Sequence, residues 1–412
     1  MRDLQAPILS GTALAERFSA LDAFLCTQQS IWREKPFIEQ QLNWEADHPE
    51  LAAWLRSRSL ADAEACHNTA HTLTAPQPFM DWAQQAEQLC RLGTFNPAEL
   101  TERPLRMQSG IAQRKWQQIA AFAGAVQGSA QQLLRQPQHW LDWCAGKGHL
   151  GRYLAWPDAQ LESLEFDAKL ISSAQTISEK YLPQAQHTLC DVMSPASVAP
   201  LLRSDAVVAL HACGDLHTHL LRQVSAQPAA ALALAPCCYN RTQAECYQPL
   251  SNAGRASQLQ LNRDDLSLPL TATVTATTRE RRLRDQSMAW RLAFDILQRT
   301  LRGLDEYLPT PSLSATWFNK SFAQWCQDVA ALKELPLVPE QDWAQLEAQG
   351  WQRLAQVRNL ELVRGLFRRP LELWLVLDKA LFLQEQGFIV ELGEFCAAEL
   401  TPRNLLLLAQ RS

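Results

Sequence analysis

Asp142 stands four residues ahead of a glycine-rich turn in Leu-Asp-Trp-Cys-Ala-Gly-Lys-Gly-His-Leu-Gly, residues 141–151. The pattern predicts a buried strand ending at Asp142, a turn through Gly146, Gly148 and Gly151, and a helix start. Glycines are needed where the backbone bends sharply and comes within van der Waals contact of a ligand. Two cofactor classes use such a turn. A dinucleotide site runs apolar residues straight into G-x-G-x-x-G. An S-adenosylmethionine site places an acid four residues before the first glycine, as Asp142 is placed before Gly146.

That cofactor needs two further anchors. Its ribose hydroxyls want a carboxylate at the end of the second strand, since an ionised acid accepts both hydrogen bonds. Glu165 of Leu-Glu-Phe-Asp sits there, with Asp167 as a near alternative. The adenine amino group wants an acceptor after the third strand, and Cys-Asp-Val supplies Asp191. A dinucleotide fold explains Glu165 but gives no reason for Asp191. Each acid alone is equally a helix cap or a surface residue. In register on successive strands, they point to S-adenosylmethionine held by Asp142, Gly146, Gly148, Glu165 and Asp191, with His211 beside it.

The acceptor is expected where the next strands end, because ligands of open α/β sheets bind at the carboxyl edge. The fourth strand ends His211-Ala212-Cys213-Gly214-Asp215-Leu216, and the fifth ends Ala235-Pro236-Cys237-Cys238-Tyr239-Asn240. The simplest mechanism is direct in-line transfer, in which the protein aligns the acceptor and removes a proton. Asp215 or His211 is the expected base; Tyr239 orients or stacks on the acceptor, with Cys238 beside it. Asp215 is equally a helix cap, and His211 equally a hydrogen-bonded core residue. The fourth strand lacks the (Asp/Asn)-Pro-Pro-(Tyr/Phe) of amino-group methylation, which disfavours that class. Carbon-5 methylation of cytosine needs a thiolate, and Cys213 and Cys237 or Cys238 occupy the places for it, but nothing adjacent in sequence lowers a thiol pKa. His211, Cys213, His217, Cys237, Cys238 and Cys246 could also converge on a metal. The spacing lacks a C-x₂-C knuckle and adjacent cysteines do not easily share one tetrahedral ion, so no metal is expected.

The elements that must position these groups are legible as apolar runs closed by acids or turns. Strands are expected at 139–144, 161–166, 188–192, 206–211 and 229–235, spaced as β-α repeats of a parallel sheet covered on both faces. A helix through Lys115, Trp116 and Ile119 precedes them. Residues 1–104 read as an all-helical N-terminal domain: Leu14, Phe18, Leu21, Phe24 and Leu25 recur at helical spacing. The alternation stops after the fifth strand, and residues 279–369 read as a helical insertion and a candidate substrate-binding region. A helix at 371–385 and strands at 388–395 and 404–409 complete the sheet. The cofactor-binding domain is thus expected over 105–278 and 370–412, an α/β fold with a Rossmann-like class I methyltransferase sheet.

A net charge of −5 argues against a protein that coats nucleic acid, and DNA is not expected as a partner. Charge is uneven, however. The N-terminal hundred residues are acidic, while Arg279, Arg281, Arg282 and Arg284, and further on Arg364, Arg368 and Arg369, cluster in the insertion. They read either as a solvated helix face or as a surface that contacts phosphate, through Arg281 and Arg282 first. With 11 scattered cysteines, reduced thiols are expected rather than a disulfide frame. No apolar run is long enough for a membrane span and no signal-like segment opens the chain, so a cytoplasmic protein is expected. The oligomeric state is open.

The GKGHL turn, the H-x-C-G-D-L segment and the P-C-C-Y segment together resemble a methyltransferase-like family that includes methyltransferase-like protein 25 and the glutathione S-transferase C-terminal-domain-containing protein. The final stretch, with Leu-Asp-Lys and Thr-Pro-Arg-Asn-Leu, is similar as well. A looser likeness runs to the eukaryotic transfer-RNA 2′-O-methyltransferase of the acceptor stem. The resemblance covers 105–278 and 370–412 and implies S-adenosylmethionine far better than an acceptor. RNA, transfer or ribosomal, is the leading expectation. A protein or small-molecule methyltransferase and a non-catalytic scaffold that binds the cofactor are the alternatives.

Overall fold

Eight strands join in one sheet in a computed structural model that describes residues 6–130, 137–227, 231–272, 278–336 and 338–411. In chain order they are β1 (Leu9–Ser10), β2 (His139–Trp143), β3 (Gln160–Glu165), β4 (Gln186–Leu189), β5 (Ala206–Leu210), β6 (Ala231–Ala235), β7 (Phe388–Glu394) and β8 (Leu405–Arg411). Their spatial order is β1-β7-β8-β6-β5-β2-β3-β4. β2 to β6 pair in parallel, and β8 lies antiparallel between β6 and β7. This is the Rossmann-like α/β sheet expected from the sequence, closed by two late strands.

The chain leaves β2 toward β3 and β4, then returns to β2's other side as β5. The order therefore reverses between β2 and β5, and a crevice opens over their carboxyl ends at such a switch point. Trp140 to Trp143 of β2, Ala206 to Ala209 of β5 and Leu232 to Ala235 of β6 are buried, as strands covered on both faces must be. The helix Gln113–Ala130 lays Phe122 and Val126 into a core shared with Trp140, Leu154, Val208 and Leu408.

By contacts the chain divides into two units whose boundaries differ from those drawn from sequence. One comprises Met1–Cys26, Leu89–Val274 and Arg369–Ser412, and the other Thr27–Gln88 and Thr275–Arg368. The N-terminal hundred residues are thus shared between units and are not purely helical. β1 pairs with β7, and Thr94 bridges Glu394 on the same strand. A two-residue edge strand carries no period for a sequence to display. The second unit is helical. Helix Thr278–Arg302 packs on helix Trp343–Gly365, where Gly350 leaves room for Ala289 and Ala293. Trp290, Phe294, Phe318, Phe322 and Trp325 form its core. Among the described residues no helix is long and apolar enough to cross a membrane.

Candidate cofactor and acceptor site

β2 ends where the backbone turns left-handed, at Cys144 (φ 57°), Gly146 (φ 58°) and Gly148 (φ 67°). Only glycine enters that region without strain, so the turn concentrates glycines and Cys144 bears a cost. Asp142 does not point into the crevice. It is 2% exposed, and its Oδ2 accepts the N–H of Gly151 at 2.9 Å, pinning the first turn of helix His149–Ala155 to β2. Burial pushes its carboxyl up to about 7, against the Gly151 hydrogen bond and the nearby Arg152. A Cβ at Gly151 would stand 2.5 Å from Leu161 Cδ1 and 2.9 Å from Asp142 Cβ, so this glycine exists for close helix-to-sheet packing.

Glu165 closes β3 beside the turn. Its Oε2 accepts the N–H of Gly146 at 2.8 Å, and its Oε1 accepts those of Phe166 and Asp167 at 2.9 and 3.0 Å. A Cβ at Gly146 would meet nothing within 4 Å, which leaves that side of the turn open. Asp167 caps helix Ala168–Tyr181 through Lys169 N–H at 2.8 Å. Asp191 lies two residues past β4, exposed, with Oδ1 accepting Met193 N–H at 3.0 Å. β4 is also displaced toward the N-terminus from the range expected by sequence. The three acids therefore end three neighbouring strands, with Glu165 and Asp191 at the surface of the edge and Asp142 beneath it.

His211 follows β5 with φ 70°, another strained non-glycine at the edge. Burial, Lys115 and Arg403 hold its imidazole down at about 4, so it is neutral near pH 7. Its Nε2 lies 3.5 Å from Gln118 Oε1. Helix Gln113–Ala130 thus brings Lys115 and Gln118 to the site. Sequence reasoning missed both, and only the run of that helix into the first strand hinted at them.

Asp215 and Tyr239 are not gathered with His211. Asp215 begins helix Asp215–Ala226, and its Oδ2 accepts Gln243 N–H at 2.8 Å. Tyr239 is 4% exposed and donates its hydroxyl to Glu372 at 3.3 Å. Both line a cavity of about 520 Å³ with Thr218, His219, Arg222 and Lys379. His211 is not part of its lining.

Three of the six groups considered for a metal do converge. The Sγ atoms of Cys213, Cys237 and Cys238 all lie within 4.8 Å of one another. His217 is buried with Nδ1 3.0 Å from the Ala212 carbonyl, and Cys246 is exposed elsewhere. The thiol of Cys213 is pulled below its ordinary value by its hydrogen bond with Cys237, against burial, with Cys238 and Arg241 acting the same way. The sequence shows no such neighbour because Cys237 arrives from the next strand.

The arginine cluster separates into two kinds. Arg364 binds Glu361 and the Trp32 carbonyl, and Arg368 donates to the His67 carbonyl at 2.7 Å. Arg369 is held by Glu372, Glu394 and Asn404. These three are structural and offer no phosphate surface. Arg284 pairs with Glu64 and Asp285, whereas Arg279, Arg281 and Arg282 are exposed in the first turns of helix Thr278–Arg302.

Residues 114–245 match a family model described as a methyltransferase domain. Over that segment, about a third of the chain, the protein is similar to a methyltransferase domain. Solved structures with likeness to the chain include the N-terminal domain of EvdMO1 with SAH bound, at 18% identity over 37% of this chain and 63% of that one, with a TM-score of 0.24. The chain thus spans under two thirds of that structure's length. Magnesium protoporphyrin IX methyltransferase from Synechocystis PCC 6803, with bound SAH, is 14% identical over 43% of this chain and 73% of that chain, TM-score 0.25. Coclaurine N-methyltransferase bound to N-methylheliamine and SAH is 11% identical over 97% of this chain and 99% of that one, TM-score 0.27.

Proposed function

We propose that this chain transfers a methyl group from S-adenosylmethionine to RNA. The observation that carries the cofactor reading is Glu165 at the end of β3 accepting the N–H of Gly146, whose Cβ side is open, with Asp191 exposed just past the neighbouring strand β4 and Asp142 pinning the turn from beneath. The residues suit the cofactor. The Glu165 carboxylate matches a ribose diol, Asp191 is an exposed acceptor for an adenine amino group, and Gly146 has no side chain to obstruct contact. When bound, S-adenosylmethionine supplies a methyl group already activated by its sulfonium.

What the chain does is position and deprotonate. Asp142 fixes the turn through Gly151, and Glu165 fixes it through Gly146. His211, kept neutral by burial and by Lys115, is in the form that accepts a proton from an acceptor hydroxyl. Asp215 holds the loop after β6 through Gln243, a positioning role. RNA is favoured over other acceptors by the exposed Arg279, Arg281 and Arg282 and by the likeness to the transfer-RNA enzyme. The cavity beside Asp215 and Tyr239 has the size of a small-molecule site and favours a small-molecule acceptor as the second reading.

Transfer of tritiated methyl from S-adenosylmethionine into fractionated cell extract tests the assignment. Label released by RNase supports RNA. Label released by protease, or found on a small molecule, overturns the RNA acceptor, and no incorporation by folded protein overturns the enzymatic reading.

A further inference from the structure

We propose that Cys213, Cys237 and Cys238 form a three-thiolate site for a thiophilic divalent cation, Zn²⁺ by preference. The Sγ of Cys213 lies 3.3 Å from that of Cys237, which lies 3.7 Å from that of Cys238. An ion bound tetrahedrally at about 2.3 Å from each sulfur sets roughly 3.8 Å between sulfurs, near the two separations above, and the Cys213–Cys238 pair lies within 4.8 Å. The adjacency of Cys237 and Cys238 therefore presents no obstacle, because their sulfurs are turned to the same side.

The three sulfurs are held there by the backbone. Gly214 (φ 54°) packs so tightly that a Cβ would overlap the carbonyl oxygen of Arg241. That carbonyl accepts the N–H of Asp215 at 3.0 Å, and Arg241 N–H donates to the Cys238 carbonyl at 3.3 Å. With the Asp215 to Gln243 bond, the loops after β5 and β6 are stitched together on both sides of the cluster. A site that is rigid before the ion arrives avoids the ordering cost of binding.

Cys213 and Cys238 are partly exposed, which gives the ion a way in, while Cys237 is buried. Among the described residues no histidine or carboxylate joins the cluster. Three protein ligands leave a fourth position for water or an acceptor atom, the pattern of a catalytic rather than a closed structural zinc site. The ion displaces the thiol protons into solvent as it binds. This inference does not depend on RNA being the acceptor.

The test uses the full chain, purified reduced and loaded with Zn²⁺ or Co²⁺. One Zn²⁺ per chain and a thiolate-to-cobalt charge-transfer band are expected. Cys213→Ser, Cys237→Ser and Cys238→Ser should each weaken that band by about a third or more and lower Co²⁺ affinity, whereas Cys246→Ser, at an exposed cysteine outside the cluster, should leave both unchanged. If the serine variants fail to fold, the spectrum of the unsubstituted protein still reads thiolate ligation. No thiolate band from folded, reduced protein overturns the proposal, as does equal loss in Cys246→Ser. A Cys213–Cys237 disulfide that persists in protein purified under reductant also overturns it.

Discussion

The carboxylate of Glu165 accepts the N–H of Gly146 at 2.8 Å, so the acid that ends β3 also shapes the turn that follows β2. Its other oxygen takes two more backbone N–H groups. Glu165→Ala removes all of these acceptors together. Hydrogen bonds to a charged group contribute about 1.5–3 kcal/mol each, so S-adenosylmethionine affinity should fall roughly tenfold to a hundredfold by calorimetry. Unchanged affinity would remove Glu165 from the cofactor site.

Gly151 has no space for a side chain between Leu161 and Asp142. Gly151→Ala forces the helix away from β2 or pushes Asp142 from its hydrogen bond. Overpacking of this kind costs about 1–3 kcal/mol, to be read from urea denaturation. A substitution without effect would mean that the helix does not pack as closely as described.

Burial holds four histidines well below the ordinary value of 6.5: His149, His187 and His211 at about 4 and His217 at about 3. Arg152 adds to the effect at His149 and His187, and Lys379 at His217. Between about pH 4 and 6.5 the unfolded chain binds these protons and the folded chain does not. Stability is therefore present above that window and lost as pH falls through it. Asp142, pushed up to about 7, acts in the opposite sense, one group against four. A melting temperature that falls steadily from pH 6.5 to 4 is expected, and one that rises would contradict these burials.

Arg279, Arg281 and Arg282 are exposed in the first turns of helix Thr278–Arg302, and the proposed RNA reading makes them the phosphate contacts. Replacing all three with alanine should weaken RNA retention at low salt. It should also flatten the slope of log K against log salt by about 2. A slope that does not change would show that this surface does not carry the RNA.

The strand ends were legible from sequence because each buried apolar run stops at an acid or a turn. Glu165 thus reads as the end of one strand and Asp191 as the residue just past the next. What stayed hidden depends on contacts between distant segments. The convergence of Cys213 with Cys237 needs β5 and β6 to be neighbours, and the linear spacing of the cysteines argued against it. Arg368 and Arg369 read as part of a charged face, yet Arg368 donates to the His67 carbonyl and Arg369 pairs with the buried Glu372. Tyr239 follows a strand end as expected, but its hydroxyl turns to Glu372, on a helix that lies more than a hundred residues later.

Calorimetric titration of the full chain with S-adenosylmethionine and, in parallel, with NAD tests the central claim most directly. The acids that end β2, β3 and β4 predict saturable binding of one S-adenosylmethionine per chain and none of NAD. Binding of NAD without S-adenosylmethionine, or of neither by folded protein, would contradict it.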